Sequence, residues 1–353
     1  MNKLIIIGNG FDLAHGLKTR YSDFLVWYLD SVLNSLRQQY KFEDELIKID
    51  EIIFSLQKKK IESIEDYRRY LEELPFIKVT HKSDFFKYLL NGLIDKKWVD
   101  IESAYFNSLV KYYTDAEKNN FSYWDTGLKS IESFHKAFEF IKSKLFEYLN
   151  SLQLLETAIN TSIATKLEQI IYDPDWELTE HNKNDSVLTL NFNYTSTLKL
   201  YTQQLNVELP HNLINIHGSI SQRLDSIIFG YGDEMNPYYQ KIENLNSNEL
   251  LRNIKSFGYL KNEDYKKFRL FTDSDKFIVY ILGHSCGLSD RILLNSIFEH
   301  KNCESIKIYY HKRSDTDNDY TEKTMEISRH FGPQNKDLMR RRIVPFDKCS
   351  PLT

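Results

Sequence analysis

Leu4-Ile5-Ile6-Ile7-Gly8-Asn9-Gly10-Phe11-Asp12-Leu13-Ala14-His15-Gly16 is the stretch that decides the fold. Four apolar residues in a row, three of them β-branched, read as a strand buried on both faces, and such strands belong to parallel sheets covered by helices. The glycines that follow permit a sharp turn and a close backbone approach at the strand's carboxyl end, where α/β sheets hold phosphate groups. A GxG at the end of a first strand, with a third glycine six residues on, points to a nucleotide loop. Leu13 stands where the dinucleotide fingerprint GxGxxG has its last glycine, which argues against a standard Rossmann dehydrogenase. Asp12 would repel a pyrophosphate, so it is expected on a ribose hydroxyl, on Arg20, or as a helix cap.

Three further runs read as buried strands: Val187 to Asn191, Leu213 to Ile216 and Phe277 to Leu282. Each leads into a loop with chemical capacity. The first carries Asn191-Phe192-Asn193-Tyr194-Thr195, and an Asn amide both donates and accepts, suiting it to orient a ribose hydroxyl or an attacking water. The second is His217-Gly218-Ser219, with a histidine that can act as general base near neutral pH. Their plain structural readings are a helix cap for Asn191 and a hydrogen-bonded turn residue for His217. The third loop, Gly283-His284-Ser285-Cys286-Gly287-Leu288-Ser289-Asp290, contains a literal GxSxG. That pattern is the nucleophile elbow of α/β-hydrolases, so a serine hydrolase built on Ser285, with His217-Gly218 as oxyanion loop and His311 or His330 downstream, is a rival reading. It leaves the Gly8 and Asn191 loops without a task.

The 353 residues include only 12 Gly and 7 Pro, too few turn formers for an all-β fold. Gly92 and Gly127 alone interrupt the span between Leu17 and Ile216, and the pattern there turns helical. Ser22 is placed to cap a helix carrying Leu25, Leu29, Val32, Leu33 and Leu36, and Ser83 another through Phe86, Leu89, Leu90 and Leu93. The stripe Ile131, Phe134, Phe138, Ile141, Leu145, Tyr148, Leu152, Leu155 reads as one long helix, packed into its own domain or seeding a homo-oligomer. Gln57 to Arg69 reads as a solvated face or loop, and Arg340-Arg341-Arg342 as a solvated run with weak capacity for phosphate. The expected fold class is α/β, a parallel sheet with a large α-helical insertion. Residues 1–20 and 185–353 are expected to form the nucleotide-binding domain, and 21–184 the insertion.

Exclusions follow from the same arithmetic. A net charge of −4, from 46 Lys+Arg and 50 Asp+Glu, supplies no general nucleic-acid signal. Cys286, Cys303 and Cys349 form no CxxC pair, which excludes a disulfide framework and a four-cysteine zinc ribbon. Leu4 to Ile7 is too short for a signal-peptide core and no run approaches a membrane span, so a cytoplasmic protein without membrane partners is expected. No metal is expected, since the ten His include no HxxxH pair, although His15, His217 and His284 all fall in these loops.

The ordered set GNGFDLAHGL, LTLNFNYTSTL, NIHGS and ILGHSCGLSD resembles the AbiH abortive-infection family of bacterial phage-defence proteins. Tyr21-Ser22-Asp23-Phe24, Trp98-Val99-Asp100-Ile101-Glu102 and Phe229-Gly230-Tyr231-Gly232 extend the likeness. Through it the chain is similar to the sirtuin-like, NAD-binding superfamily, with a Rossmann-type sheet. That resemblance implies that Gly8 and Gly10, with Asn9, Phe11 and Asp12, flank the NAD+ pyrophosphate loop, and that Asn191 and His217 are catalytic. It places Gly283 and Ser285 beside the adenosine ribose and adds His284, Asp290, Asn193 and Gly218 to the nucleotide site. Asn193 stands where sirtuins have Asp, and their zinc-ribbon cysteines are absent. The implied activity is hydrolysis of NAD+ to nicotinamide and ADP-ribose in phage defence, with NAD+ as substrate. The alternative is a non-catalytic nucleotide sensor that signals to a partner.

Overall fold

A computed structural model describes the chain apart from residues 51, 53–58, 75, 97–99, 120–126, 153–156, 173–185 and 205–212. Nine strands occur among the described residues: β1 (Asn2–Ile7), β2 (Phe42–Glu43), β3 (Ile47–Ile49), β4 (Val79–His81), β5 (Val187–Asn191), β6 (Leu213–Asn215), β7 (Phe277–Leu282), β8 (Cys303–Tyr310) and β9 (Ser350–Pro351). Six of them form one parallel sheet in the order β6-β5-β1-β7-β8-β9. The chain winds outward from β1 through β5 to β6 on one side and from β7 through β8 to β9 on the other, so winding reverses between β1 and β7. The architecture is mixed α/β, as expected, and all four predicted strand runs are strands of this sheet.

The sheet is buried because its strands are apolar on both faces. Leu4, Ile6, Leu190, Val279, Ile281, Ile306 and Ile308 point to one side, onto Leu293, Leu294, Ile297 and Phe298 of the helix Arg291–Phe298. Ile5, Ile7, Ile278, Tyr280 and Leu282 point to the other, onto Ile163, Leu167 and Ile170 of the helix Thr161–Tyr172. The period-2 alternation thus divides one hydrophobic run between two cores, and each buried Ile or Leu contributes about 1.5–3 kcal/mol.

Two compact units result. Met1–Leu17, Leu152–Pro237 and Asn253–Thr353 form the sheet unit, which includes the helix Thr161–Tyr172. Lys18–Ser151 and Tyr238–Arg252 form the second. Its helix Tyr21–Gln39 buries Leu25, Leu29, Val32, Leu33 and Leu36, but the cap is Arg20, whose main-chain N–H donates to Asp23 Oδ2 at 3.1 Å, and not Ser22. Ser83 does cap Asp84–Lys96, accepting from Phe86 N at 3.4 Å. The helix Gly127–Ser151 carries most of the long apolar stripe. Its Phe134 stacks on Tyr105 at 5.0 Å, Phe138 lies 4.1 Å from the same ring, and Tyr148 lies 5.3 Å from Trp27. The stripe is therefore spent inside its own unit and is not a free seam for a homo-oligomer. Leu152 lies past the helix end, and Leu155, Gln57, Trp98 and Val99 lie outside the described residues.

The described end of the Gln57–Arg69 stretch is a solvated helix face: in Ile64–Glu72, Glu65, Arg68 and Arg69 are exposed while Ile64 and Tyr67 are buried. Two expectations need correction. The region expected as a helical insertion also holds the antiparallel sheet β2-β3-β4. Arg342 is buried and donates to Phe298 O at 2.6 Å, so the arginine run is solvated only in part.

At the reversal point the loops after β1 and β7 meet at main-chain contact. Gly10 N donates to Gly283 O at 2.7 Å, and a Cβ on Gly283 would lie 2.3 Å from Phe11 N. Gly283 also has φ +72°, in the left-handed region. Gly283→Ala should cost about 2–5 kcal/mol from strain and overlap together, whereas Gly92→Ala, in the helix Asp84–Lys96 with open space around it, should gain about 0.5–1 kcal/mol. Urea unfolding of the two variants checks both signs.

Candidate functional site

The carboxyl ends of β5, β1 and β7 bring the predicted loops together. Asn193 Nδ2 donates to Gly8 O at 3.1 Å, tying the β5 loop to the β1 loop. Asn191 Oδ1 accepts from Asn193 N at 3.1 Å, and its Nδ2 donates to Asn215 Oδ1 on β6 at 2.9 Å. Asn191 is thus a brace between strands and closes a local turn; it does not cap a helix. The Cβ direction of Gly8 is filled by His284, whose Cα lies 2.5 Å from that position. Gly8, Gly10 and Phe11 donate their amides to Leu282 O, Gly283 O and Gly8 O. These glycines therefore serve the approach of one loop to the other, and three amides of the loop are engaged within the protein. Phe11 points into the core beside His15 and Tyr201, while Asn9 is exposed.

Asp12 is not paired with Arg20 and does not cap a helix. Its Oδ2 accepts from Thr195 Oγ1 at 2.6 Å, and its Oδ1 is buried without a hydrogen-bond partner. Burial pushes its carboxyl up to about 6, against the opposing hydrogen bond from Thr195.

The second half of the site is a buried charge cluster. Asp290 Oδ1 lies 2.7 Å from Lys255 Nζ and 3.2 Å from His217 Nε2, and Oδ2 lies 3.6 Å from His284 Nε2. All four side chains are buried. Burial alone would raise the Asp290 carboxyl, but the Lys255 ammonium and then His217 hold it below the usual carboxylate range. Burial, reinforced by Lys255, lowers the His217 imidazole, and burial brings His284 down to about 3. His284 Nδ1 accepts from Cys286 N at 2.9 Å, which leaves its ring proton on Nε2, toward Asp290. His217 Nε2 also lies 3.3 Å from the Tyr259 hydroxyl, and the two rings are parallel. The Phe192 ring touches both imidazoles, with centroids 5.2 Å from His217 and 4.3 Å from His284. Both ring nitrogens of His217 are thus engaged, Nε2 by Asp290 and Tyr259 and the other by the Phe192 carbonyl. Gly218, at φ +82°, turns the chain directly after His217.

Ser285 is exposed and outside this cluster. Its neighbours are committed elsewhere: His284 to Cys286 N, and His330 Nε2 to Cys286 O at 2.8 Å. The left-handed residues of the loop are Gly283 and Cys286, not Ser285. Among the described residues Ser285 Oγ makes no hydrogen bond to an imidazole. His15 is also apart from the cluster, its ring nitrogens held by Phe11 O at 2.7 Å and Tyr201 Oη at 2.5 Å. Among the described residues no three His, Cys, Asp or Glu side chains converge as a metal-ligand set. Among them, too, no helix is long and apolar enough to cross a membrane.

Lys255, Tyr259 and Asn215 are site residues that sequence reasoning missed. A lysine in Asn253-Ile254-Lys255-Ser256 carries no local mark of burial, and its partner lies 35 residues away.

The fold and site define a parallel-sheet α/β protein with a buried His–Asp–Lys cluster at the carboxyl ends of its strands. The model of the bacteriophage abortive infection AbiH family matches residues 4–312, and the chain belongs to that family. Its field of action is accordingly defence against phage by abortive infection. No curated protein matches the chain.

The raised carboxyl of Asp12 has a signed consequence. The folded state holds this proton to about pH 6 and the unfolded chain only to about 3.8, so stability falls as pH rises through that window. Asp12→Asn should be more stable than wild type at pH 7 by up to about 3 kcal/mol, with the difference vanishing toward pH 4. Urea unfolding across pH 4–8 measures it, and a variant less stable at pH 7 would contradict this origin.

Proposed function

We propose that the protein binds NAD+ across the carboxyl ends of its strands and hydrolyses it to nicotinamide and ADP-ribose in the cytoplasm of phage-infected cells. The observation that carries this reading is the strand order. Counting only sheet strands it runs 3-2-1-4-5-6, the order of doubly wound dinucleotide-binding sheets, with Asn191 ending β5 and His217 following the adjoining β6 on one side of the reversal. On this view the sheet unit is a sirtuin-like, Rossmann-type domain, and the helical segment between β1 and β5 is an insertion into it.

The residues fit a dinucleotide in a specific way. The unpartnered Asp12 Oδ1 is a ready acceptor for a ribose hydroxyl. The Gly8 and Gly10 amides already donate to Leu282 O at the end of β7 and to Gly283 O, so phosphate binding includes parting the β1 loop from Gly283. Asn9, Asn193, Gly218 and the 283–290 loop then border the nucleotide. In the reaction water adds to the ribose C1′, the bond to the nicotinamide nitrogen breaks with its electron pair moving to the ring, and a proton leaves the water for His217. Asn191, held by Asn215, orients the water or the ribose. Orientation and electrostatics should supply most of the rate, because the leaving group departs as a neutral pyridine.

A second reading, a non-catalytic nucleotide sensor, draws on the bracing bonds of Asn191 and Asn193, which occupy both amides in holding loops together. Purified protein incubated with NAD+ should release nicotinamide. Asn191→Ala and His217→Ala should each lower the rate about 100-fold or more. Saturable NAD+ binding with no nicotinamide released favours the sensor and overturns the hydrolase.

A further inference from the structure

Phe229-Gly230-Tyr231-Gly232 has no role in the nucleotide reading, yet two of its residues are packed at backbone contact. A Cβ on Gly230 would lie 1.9 Å from Asn253 O, and one on Gly232 would lie 2.8 Å from Ser289 O. Tyr231 N donates to Asn253 O at 3.1 Å, Lys255 N donates to Tyr231 O at 3.0 Å, and Ile292 N donates to Gly232 O at 2.8 Å. The motif is thus a staple. On one side it docks the segment that carries Lys255, on the other the turn that carries Asp290, and it sets the two charges 2.7 Å apart.

We propose that Lys255 is a positioning residue that keeps His217 uncharged, by supplying the one cation that the buried Asp290 carboxylate requires. A site without solvent tolerates charge only in compensated amounts. Three bases contact Asp290: the Lys255 amine and His217 imidazole at Oδ1, and the His284 imidazole at Oδ2. One carboxylate compensates one proton among them. The amine, with an ordinary pKa near 10.4 against about 6.5 for imidazole, takes it. His217 consequently remains a free base beside a carboxylate, an arrangement that would otherwise charge it.

The groups facing His217 pull in both directions: burial and the Lys255 ammonium oppose a charge on the ring, while Asp290 and the Phe192 carbonyl favour one. The Tyr259 hydroxyl from the helix Lys255–Tyr259 is a neutral neighbour at Nε2. The Phe192 carbonyl accepts from the ring, the Tyr194 ring lies 6.1 Å away, and His284 is fixed neutral by the Cys286 amide. Lys323, whose ammonium donates to His284 O at 2.6 Å, further opposes a charge on that imidazole. Without the lysine, the uncompensated carboxylate would draw its proton onto His217, the nearest remaining base.

The test is 15N-histidine NMR of the full chain from pH 5 to 9, in wild type, Lys255→Met and Lys255→Arg. Wild type and Lys255→Arg should show His217 neutral at pH 7. In Lys255→Met its midpoint should rise by at least one pH unit, a tenfold or greater gain in the protonated fraction relative to the neutral at a given pH. A folded Lys255→Met with an unmoved midpoint overturns the proposal, and so does a wild-type His217 that is charged at pH 7. That second outcome decides the matter even if Lys255→Met fails to fold. The consequence for catalysis rests on His217 being the base proposed above. The imidazole signals report protonation whether or not nicotinamide is released, so a midpoint that moves in a protein without turnover counts against the hydrolase alone.

Discussion

The arrangement depends on one close approach, the main chain of Gly10 against that of Gly283. The amide of Gly10 reaches Gly283 O at 2.7 Å, and neither position has room for a side chain. This contact joins the ends of β1 and β7, the strands between which the sheet reverses its winding. Everything in the site is measured from it. Asn193 is tied to Gly8 O, His284 sits over Gly8, and the turn leading from His284 delivers Asp290 to His217. The scarcity of glycine elsewhere in the chain follows from the same division of labour, since helices tolerate glycine poorly while the sheet's loops require it.

Electrostatics supplies the second constraint. Burying a carboxylate, an ammonium and two imidazoles together is costly in desolvation, and replacing such a group by apolar side chains often stabilises a fold. Asp290, Lys255, His217 and His284 are therefore poorly explained as stabilising contacts. They are explained as a device that fixes protonation: a permanent ion pair, one imidazole locked by a backbone amide, and one left as a base. The cluster and the unpartnered Asp12 oxygen lie on loops that leave the same edge of the sheet, where a ligand spanning several strands would meet both.

How much was legible in the sequence depended on the range of the interaction. Leu4 to Ile7 and Phe277 to Leu282 could be read because burial on both faces leaves a continuous apolar run, a local signature. β2, β3 and β4 have only two or three residues each and carry no periodicity, so their hairpin disappeared into a helical pattern. The cap at Arg20 was missed because its main chain, not a capping side chain such as Ser22, meets Asp23. In the site, the glycines and Asn191 announced themselves by following strands. Their use did not: Gly8 and Gly10 read as space for a ligand, and the structure fills that space with His284 and Gly283. Lys255 carries no local mark, since its neighbours Gly232 and Asp290 are distant in sequence.

The proposed ligand, a nicotinamide dinucleotide, would occupy the carboxyl ends of the sheet strands. Titration of 15N-histidine-labelled protein with NAD+ tests it directly, because His217 and His284 lie at that edge while His300, paired with Asp273, lies near the amino end of β8 at the opposite edge. Binding at that site should give saturable shifts of the His217 and His284 resonances with His300 unmoved. Shifts absent at saturating NAD+, or confined to His300, would contradict it.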